Sequence, residues 1–172
     1  MKKGNIFLSS QSVASMETAI EQLGASLTAL KNVANNIMPE VLILEGLKPA
    51  IEILIKNINI SGKLTAHLQI DNADEYLSTE TQIILYRIVQ ELLDNVMEHA
   101  KANEVWIELS RQTDRFTLIV IYNGKGIDLS QLNIKGEGLA VVKAYATYLK
   151  GSIEIHNPSV KGCKVIVEGK CS

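Results

Sequence analysis

Residues 79–100, TETQIILYRIVQELLDNVMEHA, decide the fold. Ile83, Ile84, Leu85, Ile88, Val89, Leu92, Leu93, Val96 and Met97 recur at helical spacing and leave almost no polar side, the pattern of a helix enclosed by its own domain. Thr79 with Gln82 three residues on reads as a capping box that opens this helix. Its end is expected near Ala100. Glu91, Asn95 and His99 interrupt the apolar surface every four residues and therefore fall in one stripe. A lone Glu or Asn there would simply face water, so the stripe gains weight only from residues later in the chain.

Outward from this helix the period changes. Val105, Ile107 and Leu109 alternate, Gln112 to Arg115 form a turn, and Phe116 to Tyr122 read as the returning strand of a hairpin. Asn123 to Lys135 carries Gly and Asp without periodicity and reads as a loop. Gly138 to Leu149 reads as a helix that Gly151 ends. Ser152 to His156 and Cys163 to Glu168 pair as a second hairpin. Upstream, Leu64, Ala66, Leu68 and Ile70 line one face of a half-buried strand, and Gly46 to Ile58 is a short helix that tolerates Pro49 in its first turn. The pattern predicts an α+β layer fold, an antiparallel-rich sheet with helices on one face.

Before Pro39, which cannot continue a helix, Val13, Met16, Ile20, Leu23, Leu27, Leu30, Ala34 and Ile37 follow at alternating steps of three and four. This narrow a/d seam fits a bundle or a dimer better than a surface helix, which would show a broader apolar face.

Composition limits the function classes. The chain has 172 residues, 47 % of them hydrophobic and 21 % charged, the balance of a soluble globular domain with a packed core. A formal net charge of -2 and a pI near 5.9 supply no basic field for nucleic acid. Two cysteines, both near the end of the chain, are too few for a disulfide framework and point to a reducing cytoplasm. No apolar run approaches the roughly 18 residues of a membrane span.

Asn123-Gly124-Lys125-Gly126 follows a predicted strand, and Gly136-Glu137-Gly138 precedes a predicted helix. Glycine lets backbone approach a ligand closely, and a helix N-terminus offers unpaired N–H groups to phosphate. Each G-x-G alone is an ordinary turn. Their order, behind a polar-striped helix and a hairpin, is the informative feature.

Residues 86–102, YRIVQELLDNVMEHAKA, resemble the N box of the catalytic and ATP-binding domain of two-component sensor histidine kinases, in the superfamily that includes gyrase and MutL-type ATPases. Residues 123–128, NGKGID, resemble most of the first glycine box, residues 136–139, GEGL, the second, and residues 161–165, KGCKV, a degenerate last glycine turn. Ile37-Met38-Pro39 and Glu45-Gly46-Leu47, with the short stretch between Gly126 and Gly136, are similar to the subgroup paired with NarL-type response regulators.

The resemblance implies a two-layer α/β sandwich of the histidine-kinase/gyrase ATPase type, preceded by a long dimerisation helix. Residues 1–40 would be the second helix of a dimerisation bundle and residues 41–172 the ATP-binding catalytic domain. The implied cofactors are ATP and Mg²⁺. In the family, the residue at Asn95 binds the Mg²⁺ that bridges the phosphates, and the residue at Glu91 assists the attacking histidine. Both roles suit the side chains, since Mg²⁺ takes one or two side-chain oxygens plus phosphates and waters, and a carboxylate polarises an imidazole N–H. His99, Tyr122, Gly124, Gly126, Gly136, Gly138 and Leu139 are the implied nucleotide-binding positions. The implied activity is transfer of the ATP γ-phosphoryl group to a His on a dimerisation helix absent from this chain, ahead of a response regulator.

Two departures stand beside the matches. Tyr122 replaces the family's Asp, which accepts a hydrogen bond from the adenine amino group, and losing a charge-assisted hydrogen bond costs about 1.5–3 kcal/mol. That raises an alternative, a pseudokinase domain that dimerises or binds a regulator as a scaffold. The family's phosphoacceptor His has no counterpart among His67, His99 and His156, so the chain is expected to be either a fragment of a longer sensor kinase, membrane-anchored or not, which is the favoured reading, or a degenerate relative without a self-phosphorylation site. The seam predicts a homodimer through Val13 to Ile37 in sedimentation at tens of micromolar (about the usual working range for such contacts). Leu23→Glu should dissociate it and leave the catalytic domain folded, while a strictly monomeric profile would contradict the seam.

Overall fold

The structure, a computed structural model, describes residues 15, 16, 18–24, 26, 39–71, 76–126, 137–157 and 162–171. The chain divides into two units at Met38 and Pro39. In the first unit the residues described before Pro39 are helical, and the Ser26 hydroxyl donates to the Gln22 carbonyl at 2.8 Å. Met16, Ile20 and Leu23 are exposed. The other expected seam residues, Val13, Leu27, Leu30, Ala34 and Ile37, lie outside the described residues. The structure establishes the mixed α/β domain; its described residues do not establish a dimerisation helix ahead of it.

The second unit runs α1 (Glu40–Leu44), α2 (Leu47–Ile60), β1 (Thr65–Ile70), α3 (Thr79–Asn95), a π-helical turn (Val96–Ala100), β2 (Glu104–Gln112), β3 (Arg115–Tyr122), α4 (Glu137–Tyr148), β4 (Ser152–His156) and β5 (Cys163–Lys170). The strands form one five-stranded sheet in the order β1-β2-β3-β5-β4. Among the described residues only β1 and β2 pair in parallel. Alternation sets the two faces: Val105, Ile107 and Leu109 with Phe116, Leu118, Val120, Val165 and Val167 are buried with Ile88, Val89 and Leu93 of α3. Each such side chain contributes about 1.5–3 kcal/mol by leaving water. On the opposite face His67 stacks on Trp106, their ring centroids 5.4 Å apart.

The outer edge of β1 is closed by a side chain. The Asn59 amide donates to the Ala66 carbonyl at 3.1 Å and accepts from the Ala66 N–H at 2.7 Å, as a neighbouring strand would.

Two helix ends differ from expectation. The N-cap of α3 is Ser78, whose Oγ accepts from the Thr81 N–H at 3.2 Å. Gln82 then falls one residue too late for a capping box. Its amide instead accepts from the Leu47 N–H at 3.0 Å and donates to the Leu77 carbonyl at 3.0 Å, tying the start of α2 to α3. At the end of α4 the left-handed residue is Lys150, φ 52°, and Gly151 follows it. The Gly151 N–H donates to the Ala146 carbonyl at 2.9 Å and the Lys150 N–H to the Thr147 carbonyl at 3.0 Å, a Schellman closure.

Helices α3 and α4 run antiparallel. The Tyr148 hydroxyl, at the end of α4, donates to Glu80 near the start of α3 at 2.5 Å. The start of α4 therefore lies against the end of α3, where the polar stripe is.

Candidate functional site

Glu91 and Asn95 occupy the last turn of α3, both half-buried, where the apolar helix reaches the rim of its domain. The Asn95 Nδ2 donates to the Glu91 carbonyl at 2.8 Å, which fixes the amide and directs its oxygen away from that bond. Gly138, in the first turn of the 12-residue α4, lies directly on the pair. A Cβ at 138 would stand 2.8 Å from Asn95 Nδ2 and 2.9 Å from Glu91 Cδ, and would overlap Glu91 Oε1. No L side chain fits there unless the polar pair moves. The backbone N–H groups of a helix start carry partial positive charge, so a carboxylate, an amide and those donors converge.

Beyond Asn95 the helix widens into the π-turn, which closes at Lys101 in the left-handed conformation, φ 49°. His99 is exposed on this turn. The Ala100 carbonyl accepts from the Lys125 N–H at 2.7 Å. Gly124, φ 113°, comes so close to the turn that a Cβ would lie 2.5 Å from the Ala100 oxygen. Asn123 anchors the same loop: its Oδ1 accepts from the N–H groups of Asn103 and Glu104 at 3.0 and 3.1 Å, and its Nδ2 donates to Asn103 Oδ1 at 2.6 Å. The first glycine loop is thus built onto the end of α3 and the start of β2.

Tyr122, the last residue of β3, is 5 % exposed on the core face and pairs in register with Cys163 of β5. Burial, and then a hydrogen bond to the Cys163 side chain, push the phenol further above its ordinary range. It stays protonated and neutral at any physiological pH. Leu139 is buried beside Gly138 in the sequence. Gly126 lies against the β4–β5 connection, and Gly136 lies outside the described residues.

The structure therefore brings Glu91, Asn95 and Gly138 into contact and sets Gly124 on the turn that follows them. Sequence reading overlooked the Asn123 anchor, Cys163 beneath Tyr122, and Asn157 over Gly126. Register alone could have paired Tyr122 with Cys163; Asn157 carried no signal beyond a turn.

The profile of the histidine kinase-, DNA gyrase B- and HSP90-like ATPase domain matches residues 80–170. The chain belongs to this family. It is 29 % identical over 122 residues to the signal transduction histidine-protein kinase/phosphatase DegS of Brevibacillus brevis, covering 71 % of this chain and 32 % of that protein. It is 31 % identical over 133 residues to the sensor histidine kinase LiaS of Bacillus subtilis, covering 77 % and 36 %. The chain spans about a third of the length of these curated relatives. In fold it matches the histidine kinase domain of a blue-light activated kinase from Erythrobacter litoralis, with a TM-score of 0.59 at 21 % identity over 70 % of this chain and 58 % of that one. It is accordingly an ATPase domain of the histidine-kinase type.

In this domain Gly138→Ala must displace the side-chain ends of Glu91 or Asn95, at about 1 kcal/mol, the low end for an overfilled site, because those ends are flexible. A fluorescent ATP analogue should lose about tenfold or more in affinity, with thermal unfolding shifted by a few degrees at most (roughly the scale of 1 kcal/mol). Unchanged affinity would show that the contact of Gly138 with Glu91 and Asn95 does not bear on nucleotide.

Proposed function

We propose that this chain is the ATP-binding, phosphoryl-transferring domain of a sensor histidine kinase, acting on a histidine supplied by another segment and serving a response regulator. The observation that carries the proposal is the backbone of Gly138 resting on Glu91 and Asn95. A scaffold has no need of a side-chain-free position over a carboxylate and an amide, and no finding favours the scaffold alternative that Tyr122 raises.

Family membership implies ATP as the ligand. Mg²⁺ fits the donor chemistry: Asn95 carries a carboxamide oxygen, and its nitrogen, which donates to the Glu91 carbonyl, is the atom that a Cβ at 138 would meet. Such a site suits an ion held mostly by phosphates and waters. When bound, Mg²⁺ offsets charge on the phosphate oxygens. Gly124 and Gly138 let backbone approach the nucleotide, and the N–H groups at the start of α4 face its phosphates.

Glu91 accepts the N–H of the attacking imidazole, so the other ring nitrogen gains electron density as it forms the N–P bond. The Pγ–O bond to ADP breaks in the same step, and the electron pair leaves with ADP. His67 and His156 occupy outward positions of β1 and β4, on the face of the sheet away from α3, which is why the acceptor is assigned elsewhere. A second copy, through the exposed Met16, Ile20 and Leu23, and a response regulator are the proposed partners. Among the described residues no helix is long and apolar enough to cross a membrane.

The test supplies γ-labelled ATP to the chain together with a histidine-bearing dimerisation hairpin from a relative. Label should appear on the hairpin as acid-labile phosphate and not on this chain. Glu91→Gln should slow transfer by about a hundredfold or more, the scale of general acid–base assistance, and leave ATP binding in place. Acid-labile label on the chain itself would overturn the assignment of the acceptor.

A further inference from the structure

The carboxylate of Glu91 touches a helix other than its own. Its Oε1 stands so close to Gly138 that a Cβ there would overlap it, and that Cβ would lie 2.9 Å from the carboxylate carbon. Gly138 belongs to the first turn of the 12-residue α4. The N–H groups of a first turn have no partner inside their own helix, and they carry partial positive charge. A carboxylate against that turn is a counter-charge lying where an incoming anion would gain most. Glu91 is half-buried, which limits the screening of its charge by salt. Asn95, the other side chain against Gly138, is neutral and supplies no counter-charge.

We propose that the Glu91 carboxylate is an autoinhibitory counter-charge: it competes with the nucleotide phosphates for the start of α4, and a phosphate that takes its place releases it. This rests on the reading of the domain as an ATP site. Binding then exchanges one anion for another at the helix start, so affinity reflects the difference between the two. The released carboxylate is free to accept the N–H of an incoming imidazole, which ties the readiness of Glu91 to the presence of nucleotide. One charge thus has two effects of opposite sign. It steadies the first turn of α4, and it opposes the phosphates as they arrive.

Glu91→Gln keeps the shape of the side chain and removes its charge. In calorimetric titration with ATP and Mg²⁺ the variant should bind about two- to fivefold more tightly than the wild type, the scale of one charge at a helix start. Amide hydrogen exchange at Val141 and Val142, whose N–H groups close the first turn of α4, should move the other way. Before ATP is added it should be about two- to fivefold faster in the variant, and saturating ATP should remove the difference. A purely structural Glu91 would loosen α4 and weaken ATP together. Glu154→Gln takes the same charge from an outward position of β4 and should bind ATP as the wild type does. The inference is overturned if Glu91→Gln binds ATP no more tightly than the wild type, if Glu154→Gln tightens it equally, or if exchange at the first turn is unchanged. A wild-type chain that binds no ATP removes the ATP-site reading and this inference with it. Wild-type binding with any of the three contrary results removes this inference alone.

Discussion

Where α4 begins, its backbone lies directly on the Glu91 carboxylate and the Asn95 amide, and a side chain at position 138 would displace one of them. The rest of the architecture serves this contact. Apolar burial of Ile88, Val89 and Leu93 fixes α3 on the sheet, and the Tyr148–Glu80 hydrogen bond holds the far ends of α3 and α4 together. With the helices antiparallel, the polar end of one must meet the starting turn of the other. The helix start carries partial positive charge, which the Glu91 carboxylate beside it offsets, while the Asn95 amide is neutral.

The glycine loop depends on the same contact at one remove. The π-turn carries the chain from Asn95 to Ala100, and the Ala100 carbonyl receives Lys125. Widening the last turn of a helix in this way often accompanies functional sites; here the turn receives the loop at Ala100. Tyr122, the residue just before that loop, is buried, stays protonated, and pairs in register with the buried Cys163. The role that resemblance gives to a carboxylate at 122 is therefore not met by a charged group.

Much of this was legible in the sequence because the elements are strongly periodic. The apolar surface of residues 79–100, the hairpin around Gln112 to Arg115 and the alternation of Ser152 to His156 all reflect burial patterns that the fold preserves. What escaped depended on long-range partners. Gln82 looked like a cap because its own helix was the only partner in view; in the structure it serves Leu47 and Leu77. The parallel pairing of β1 and its closure by Asn59 leave no local trace. A π-turn has no simple sequence period, and Lys150 takes a left-handed position that glycine usually fills. Within the site, Glu91, Asn95 and Gly138 were visible as spacing plus motif, whereas Asn123 and Asn157 act through loop geometry that only the folded chain assembles.

The most direct test of the account is a calorimetric titration of the chain with ATP, run once with Mg²⁺ and once with a chelator, on the wild type and on Asn95→Ala. If Asn95 and the start of α4 form the nucleotide site, the wild type binds ATP at least about tenfold more tightly with Mg²⁺ than without it, and Asn95→Ala loses most of that difference. Equal affinities with and without Mg²⁺, or a Mg²⁺ effect that survives Asn95→Ala, would contradict it.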